Sequence, residues 1–111
     1  MARASALCLA ALLLGGPAGI RAAEPGARVH RVVIEDFAFR PQRLTLRPGD
    51  SVEWVNLDIA PHTATAADGG WDSGELAGQA SFRRTFPTAG SHAYLCAFHP
   101  HMRGEITVVA P

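Results

Sequence analysis

Over residues 28–109 no segment keeps apolar residues at a spacing of 3.6 for ten or more positions, so amphipathic helices are not the building block of this chain. What recurs is two-residue alternation in short runs, each closed by a turn signal. "RLTLRPGD" (43–50) is the clearest. Leu44 and Leu46 fall on one face, Arg43, Thr45 and Arg47 on the other, and Pro48-Gly49-Asp50 ends the run. "RVHRVVI" (28–34) is β-branched, and "SVEWVNL" (51–57) puts Val52 and Trp54 on one side. "HTATA" (62–66) precedes a turn at Asp68-Gly69-Gly70. "ASFRRTF" (80–86) aims Phe82 and Phe86 the same way, with Arg84 on that face too, which fits only a bulge or an edge position. "SHAYLC" (91–96) follows Pro87 and Gly90, and "GEITVV" (104–109) turns Ile106 and Val108 inward. Many short strands at near-regular spacing predict an all-β fold, a sandwich or a barrel.

The first residues do not share this pattern. "MARASALCLAALLLGGPAG" has a basic start at Arg3, an apolar run from Ala6 to Leu14, then small residues and a proline. That run is too short to span a bilayer and matches the hydrophobic region of a secretory signal peptide. Residues 1–23 are expected to be a cleaved leader, with Ala18, Ala22 and Ala23 as cleavage points to weigh, and residues 24–111 a single exported domain, periplasmic or secreted. Cys8 leaves with the leader, so Cys96 has no disulfide partner, which is unusual in an oxidising compartment. Either Cys96 is buried and inert or something holds its thiolate. Every basic residue is arginine, and eight of them face ten acidic residues after the leader, a net charge of −2. With no basic stripe, nucleic acid is excluded as a partner.

The sequence "YLCAFHPHMRG" (94–104) gathers Cys96, His99, His101 and Met102 in one turn between two strands. Cys96, His99 and Met102 are spaced three apart, so a curled loop can aim all three at one point. Three ligands are too few for most stable sites. His62, held after Pro61 at the start of a strand, is the best fourth, because distant strand ends meet at one pole of a Greek-key sandwich. One thiolate, two imidazoles and a thioether form the trigonal His₂Cys set with a weak axial Met that characterises blue-copper electron-transfer sites. Four protein ligands also leave no open position for a substrate. Taken singly, Cys96 reads as a small buried hydrophobe, His62 as a turn residue, His99 as a solvated loop residue and Met102 as core filler. Their grouping is what makes ligands of them. His92 is expected to pack in the core with one satisfied hydrogen bond, His101 to be solvated, and His30 to lie on a strand surface. Trp54 and Trp71 read as packing residues.

At these residues the chain resembles the type I copper cupredoxins, in the amicyanin and pseudoazurin branch. The matching stretches are "PGDSVEWVN" (48–56), "PHT" (61–63), "WDSGEL" (71–76), "FPTAGSHAYLCAFHPHM" (86–102) and "GEITV" (104–108). The two-residue gaps on both sides of His99, with Pro100, match the short amicyanin-type ligand loop. The resemblance implies an all-β, Greek-key cupredoxin β-sandwich of about seven or eight short strands, holding one mononuclear copper through His62, Cys96, His99 and Met102. It implies a monomeric electron carrier whose redox partners are proteins, an amine dehydrogenase or a c-type cytochrome. Three positions depart from the pattern. Thr63 stands where the family usually carries Asn, whose side chain ties the two ligand-bearing segments together. His92 replaces a frequent aromatic, and His101 fills the slot between Pro100 and Met102.

Other function classes fare worse. A copper protein for delivery or storage without redox turnover favours labile, Met-rich sites, and Met102 is the only methionine after the leader. A hydrolase needs a nucleophile motif, and none is present. A copper nitrite reductase needs a second copper centre, and a binuclear site needs two bridging cysteines. The reading is therefore a non-enzymatic copper electron carrier.

Overall fold

A computed structural model describes residues 26–111. The leader expected over residues 1–23 lies outside the described residues. The described chain forms eight strands and no helix: β1 (Val29–Glu35), β2 (Ala38–Arg40), β3 (Arg43–Leu46), β4 (Ser51–Asn56), β5 (Thr65–Ala66), β6 (Ser81–Thr85), β7 (Gly90–Leu95) and β8 (Arg103–Val108). They make two four-stranded sheets, in the orders β2-β1-β4-β6 and β3-β8-β7-β5. The pairs β1–β4 and β3–β8 are parallel and the others antiparallel. The chain crosses between the sheets after β2, β3, β4, β5 and β6, so of the sandwich and barrel that the alternation allows, the chain forms the β-sandwich that the resemblance implies.

The alternation translates directly into burial. On β1, Val32 and Ile34 are buried while Arg31 and Glu35 are exposed. The turn from β3 to β4 closes with Asp50 N donating to Arg47 O at 3.0 Å, and Gly49 takes φ +97° between them. Pro at the second position and Gly with positive φ at the third are what a type II turn requires. Between the sheets Trp54 meets Tyr94 at 5.4 Å and Phe39 meets Tyr94 at 4.7 Å between ring centroids. Edge-to-face pairs of this kind add about 0.5–1.5 kcal/mol beyond area burial.

Some expectations are adjusted. β2 is not foreseen from the sequence. The stretch 62–66 is strand only at Thr65–Ala66, with His62 held by an isolated bridge to Leu76. Arg84 lies on β6, an edge strand, and its guanidinium stacks over Trp71 and Phe86 at 5.4 and 5.3 Å. His30 is not a free surface residue: its Nε2 meets Asp50 Oδ2 at 3.0 Å. His92 packs against Phe86 at 5.1 Å, but its buried Nε2 has no partner among the described residues, so the expected hydrogen bond is missing there. His101 is exposed, as expected.

The topology fixes one pole. β1 and β4 run parallel, so the β1–β2 turn and the chain after β4 emerge at the same end. The β7–β8 connection carries Cys96, His99 and Met102, and the segment after β4 carries His62.

Candidate metal centre

Cys96 follows the last residue of β7 and Met102 precedes the first of β8, so the loop between them is anchored on both sides. Three backbone bonds curl it: Met102 N to His99 O at 2.8 Å, Cys96 N to Met102 O at 3.1 Å and His99 N to Cys96 O at 3.2 Å. His62 is held from its own side by paired backbone bonds with Leu76, at 3.1 and 2.8 Å. The result is a convergence of donors. His62 Nδ1 lies 3.7 Å and His99 Nδ1 3.6 Å from Cys96 Sγ, and the ligand atoms of all three lie within 4.8 Å of one another. Met102 is buried in the same core cluster as Cys96. Sequence reasoning named all four, and the fold brings the three strong donors together.

The spacing suits a metal. Three donors at about 2.1 Å from one ion in a trigonal plane stand about 3.6 Å apart, given ligand bonds like those of zinc sites. The surroundings also prepare each donor. Cys96 is a free, fully buried cysteine, and the Thr63 N–H donates to its sulfur at 3.3 Å, which fixes where the sulfur points. His62 Nε2 meets Asp58 Oδ2 at 2.8 Å. A carboxylate there accepts a hydrogen bond from Nε2–H, which orients the ring with Nδ1 toward the sulfur.

Asp58 is itself fastened. Asp36 N donates to Oδ1 at 2.7 Å and Phe37 N to Oδ2 at 2.9 Å, while Asp58 N donates to Asn56 Oδ1 at 2.9 Å. Burial acts to raise the Asp58 carboxyl, but the N–H groups of Phe37 and Asp36 and the His62 ring outweigh it and hold it below the ordinary value. Buried Asn56 spends its amide on Ala60 O and Leu76 O, both at 2.9 Å, and so shapes the loop that delivers His62.

Sequence reasoning missed Asp58 and Phe37. Phe37 occupies the two-residue turn between β1 and β2, where Asp36 and Phe37 both take φ 55°. A left-handed backbone costs a non-glycine residue about 1–2 kcal/mol. Two hydrogen bonds to one carboxylate, about 1.5–3 kcal/mol each, offset that. The turn sets the Phe37 ring edge-on to both histidines, with centroids 4.9 Å from His62 and 5.0 Å from His99. An Asp-Phe pair at a hairpin tip, where Asn-Gly is usual, is the one local signal that could have found it.

A β-sandwich with a buried cysteine and two histidines at one pole, and a methionine ending the same loop, defines a protein of the mononuclear blue-copper type. The cupredoxin-like domain family model matches residues 4–108. The chain belongs to this cupredoxin family, as a type I copper cupredoxin of the amicyanin-like branch. It is 34% identical over 94 residues to an amicyanin from Paracoccus versutus, covering 80% of this chain and 71% of that protein. A solved Cu(I) form of an amicyanin variant superposes with a TM-score of 0.66 at 30% identity, over 78% of this chain and 86% of that one. A copper-containing nitrite reductase from Thermus scotoductus gives 0.71 at 28% identity over 80% of this chain, but the chain spans only 24% of that enzyme. The donor set fits one mononuclear type I copper, and the chain is a blue-copper electron-transfer protein.

Proposed function

We propose that this protein is an exported carrier that takes one electron from a protein donor and gives it to a protein acceptor, and that His62 Nδ1, Cys96 Sγ, His99 Nδ1 and Met102 would hold its copper. Bound copper supplies a one-electron couple between Cu(II) and Cu(I). The observation that carries the reading is the 3.6–3.7 Å approach of two imidazole nitrogens to one buried sulfur. The protein's part is to keep that geometry fixed through both oxidation states. His62 is locked by Asp58, Cys96 by the Thr63 N–H, and His99 by the loop's own backbone bonds. Burial of Cys96 and His62 speaks against a labile site for delivery or storage.

Residues 1–23 serve as the export leader, and residues 24–111 are the single working domain, periplasmic or secreted. His99 is half-buried, and exposed Phe98 and Pro100 flank it, so electrons cross through its ring to a partner docked at this pole. A c-type cytochrome and an amine dehydrogenase are the partner classes to try first. The test is a visible spectrum of copper-loaded protein before and after reductant. An intense thiolate-to-copper band that bleaches on reduction is expected. A colourless protein that binds copper weakly would refute the ligand set.

A further inference from the structure

Thr63 stands where the family carries Asn, yet the tie between the ligand-bearing segments is present. Ala97, the residue after Cys96, donates its N–H to Thr63 Oγ1 at 2.7 Å. The Thr63 hydroxyl lies 2.8 Å from Thr65 Oγ1, and Thr65 Oγ1 lies 2.9 Å from Asp72 Oδ1. Proton counting fixes the direction of this chain. An ionised carboxylate only accepts, so Thr65 gives its single hydroxyl proton to Asp72. Thr65 must then accept from Thr63, and Thr63 is left to accept from Ala97. Every link points the same way, from the Cys96–Ala97 peptide out to an exposed carboxylate. Hydrogen bonds aligned in this manner polarise one another.

The scaffold holds each member in place. Asp72 belongs to the segment that bridges Thr65, and its Oδ1 also takes the Gly74 N–H at 2.9 Å. Ser73 accepts from Ala64 N at 2.8 Å and donates to Gly74 O at 2.7 Å, which fastens that segment to the stretch between His62 and β5. Thr63 is 3% exposed, so its hydroxyl sits away from the surface, with Thr65 as its neighbour in the chain of bonds.

We propose that the Thr63–Thr65–Asp72 chain conveys the charge of the Asp72 carboxylate to the Cys96–Ala97 peptide and lowers the reduction potential of the copper site. Thr65 and Asp72 are positioning residues, acting through Thr63. The proposal rests on the ligand reading above. Negative polarisation beside the thiolate favours the more highly charged Cu(II), so breaking the chain raises the potential. The outer shell of a metal site tunes the metal in this way.

The experiment compares copper-loaded wild type, Thr65→Val, Thr65→Ser and Asp72→Asn by redox titration. It adds hydrogen exchange at the Ala97 amide in metal-free and copper-loaded protein. Thr65→Val and Asp72→Asn are expected to shift the Cu(II)/Cu(I) balance roughly three- to tenfold toward Cu(I), tenfold being about 59 mV for one electron. Thr65→Val also speeds Ala97 exchange with or without metal, and Thr65→Ser restores both readouts. A wild-type potential in Thr65→Val and Asp72→Asn, with the visible band intact, overturns the proposal even if Ala97 exchanges faster, because the chain is then only a structural tie. Failure of Thr65→Ser to restore the potential overturns it as well. A wild type without the visible band is the separate failure of the ligand assignment, and it removes the redox role of the chain with it.

Discussion

Met102 is the donor whose strength is hardest to read from its surroundings, because a buried methionine is also ordinary core. It is 3% exposed and ends the ligand loop, its N–H bonded to His99 O at 2.8 Å. In the proposed ligand set its thioether would be the weak ligand, contributing little to binding and favouring Cu(II) modestly. Met102→Leu is therefore expected to keep copper and the visible band while raising the reduction potential, measured by redox titration. Complete loss of copper would make Met102 a primary ligand instead. The candidate donors are legible because three of them share one short loop, where spacing alone implies convergence. Asp58 and Phe37 are not. The bonds between Asp58 and the Asp36-Phe37 turn join residues about twenty positions apart and depend on the parallel register of β1 on β4. No local pattern encodes that. Thr63 was recognised as a departure, but the hydroxyl chain that makes it work needed coordinates.

At the scale of strands, alternation was enough to place β1, β3, β4, β6, β7 and β8 to within a residue or two. It failed at β2 and β5, which have three and two residues, too few to show a period. It also could not explain Gly104, which lies opposite Tyr94 across the β7–β8 ladder. A Cβ built there would stand 2.3 Å from the Tyr94 ring, which is buried between the sheets. Overpacking of this kind typically costs about 1–3 kcal/mol. Gly104→Ala should thus lower the melting temperature by roughly 4–8 °C per kcal/mol lost. Unchanged melting would mean that the β7–β8 hairpin shifts freely. At the opposite pole Asp50 joins its own turn to the start of β1, accepting from Arg28 N at 2.9 Å, Arg47 N at 3.2 Å and meeting His30 Nε2 at 3.0 Å. The hydrogen bond from His30 holds the Asp50 carboxyl below its ordinary 3.8, aided by the two N–H groups and against the effect of burial. A depressed carboxyl adds stability that is complete above its unfolded value and disappears as pH falls through its folded one. Wild type should accordingly lose stability on acidification below about pH 4. Asp50→Asn should be less stable at neutral pH, with a flatter acid limb in denaturant titrations. An identical acid limb in both would remove Asp50 from the account.

As a whole the molecule is asymmetric from pole to pole, and the asymmetry decides how it meets another protein. One end is tied by charge, through Asp50, His30 and the backbone of Arg28 and Arg47. The other end carries the donors and exposes apolar side chains among polar ones. Phe37 is 46% exposed, Phe98 47% and Ile59 99%. Phe37, 5.0 Å from the His99 ring, belongs to the β1–β2 turn, Phe98 to the ligand loop and Ile59 to the segment after β4, so three separate elements contribute apolar side chains to this pole. Scattered apolar side chains need no explanation, but a patch assembled at a functional pole marks an interaction site. A brief redox encounter needs only a small contact, below the area of a stable complex. Phe98 is outside the core, so changing it does not open a cavity. Phe98→Glu should leave the visible band nearly intact. It should slow electron self-exchange between two molecules at least tenfold, equivalent to about 1.4 kcal/mol in barrier. Both partners in that reaction present the same pole, so the substitution places two like charges at the point of contact as well as removing two rings. Line broadening in mixtures of the Cu(I) and Cu(II) forms measures the rate without any other protein. The same variant at high salt separates the two contributions, because screening relieves repulsion between exposed charges but does not replace lost apolar contact. Unchanged exchange with a normal band would place electron transfer at another face. Loss of the band would instead show that Phe98 holds the ligand loop in shape.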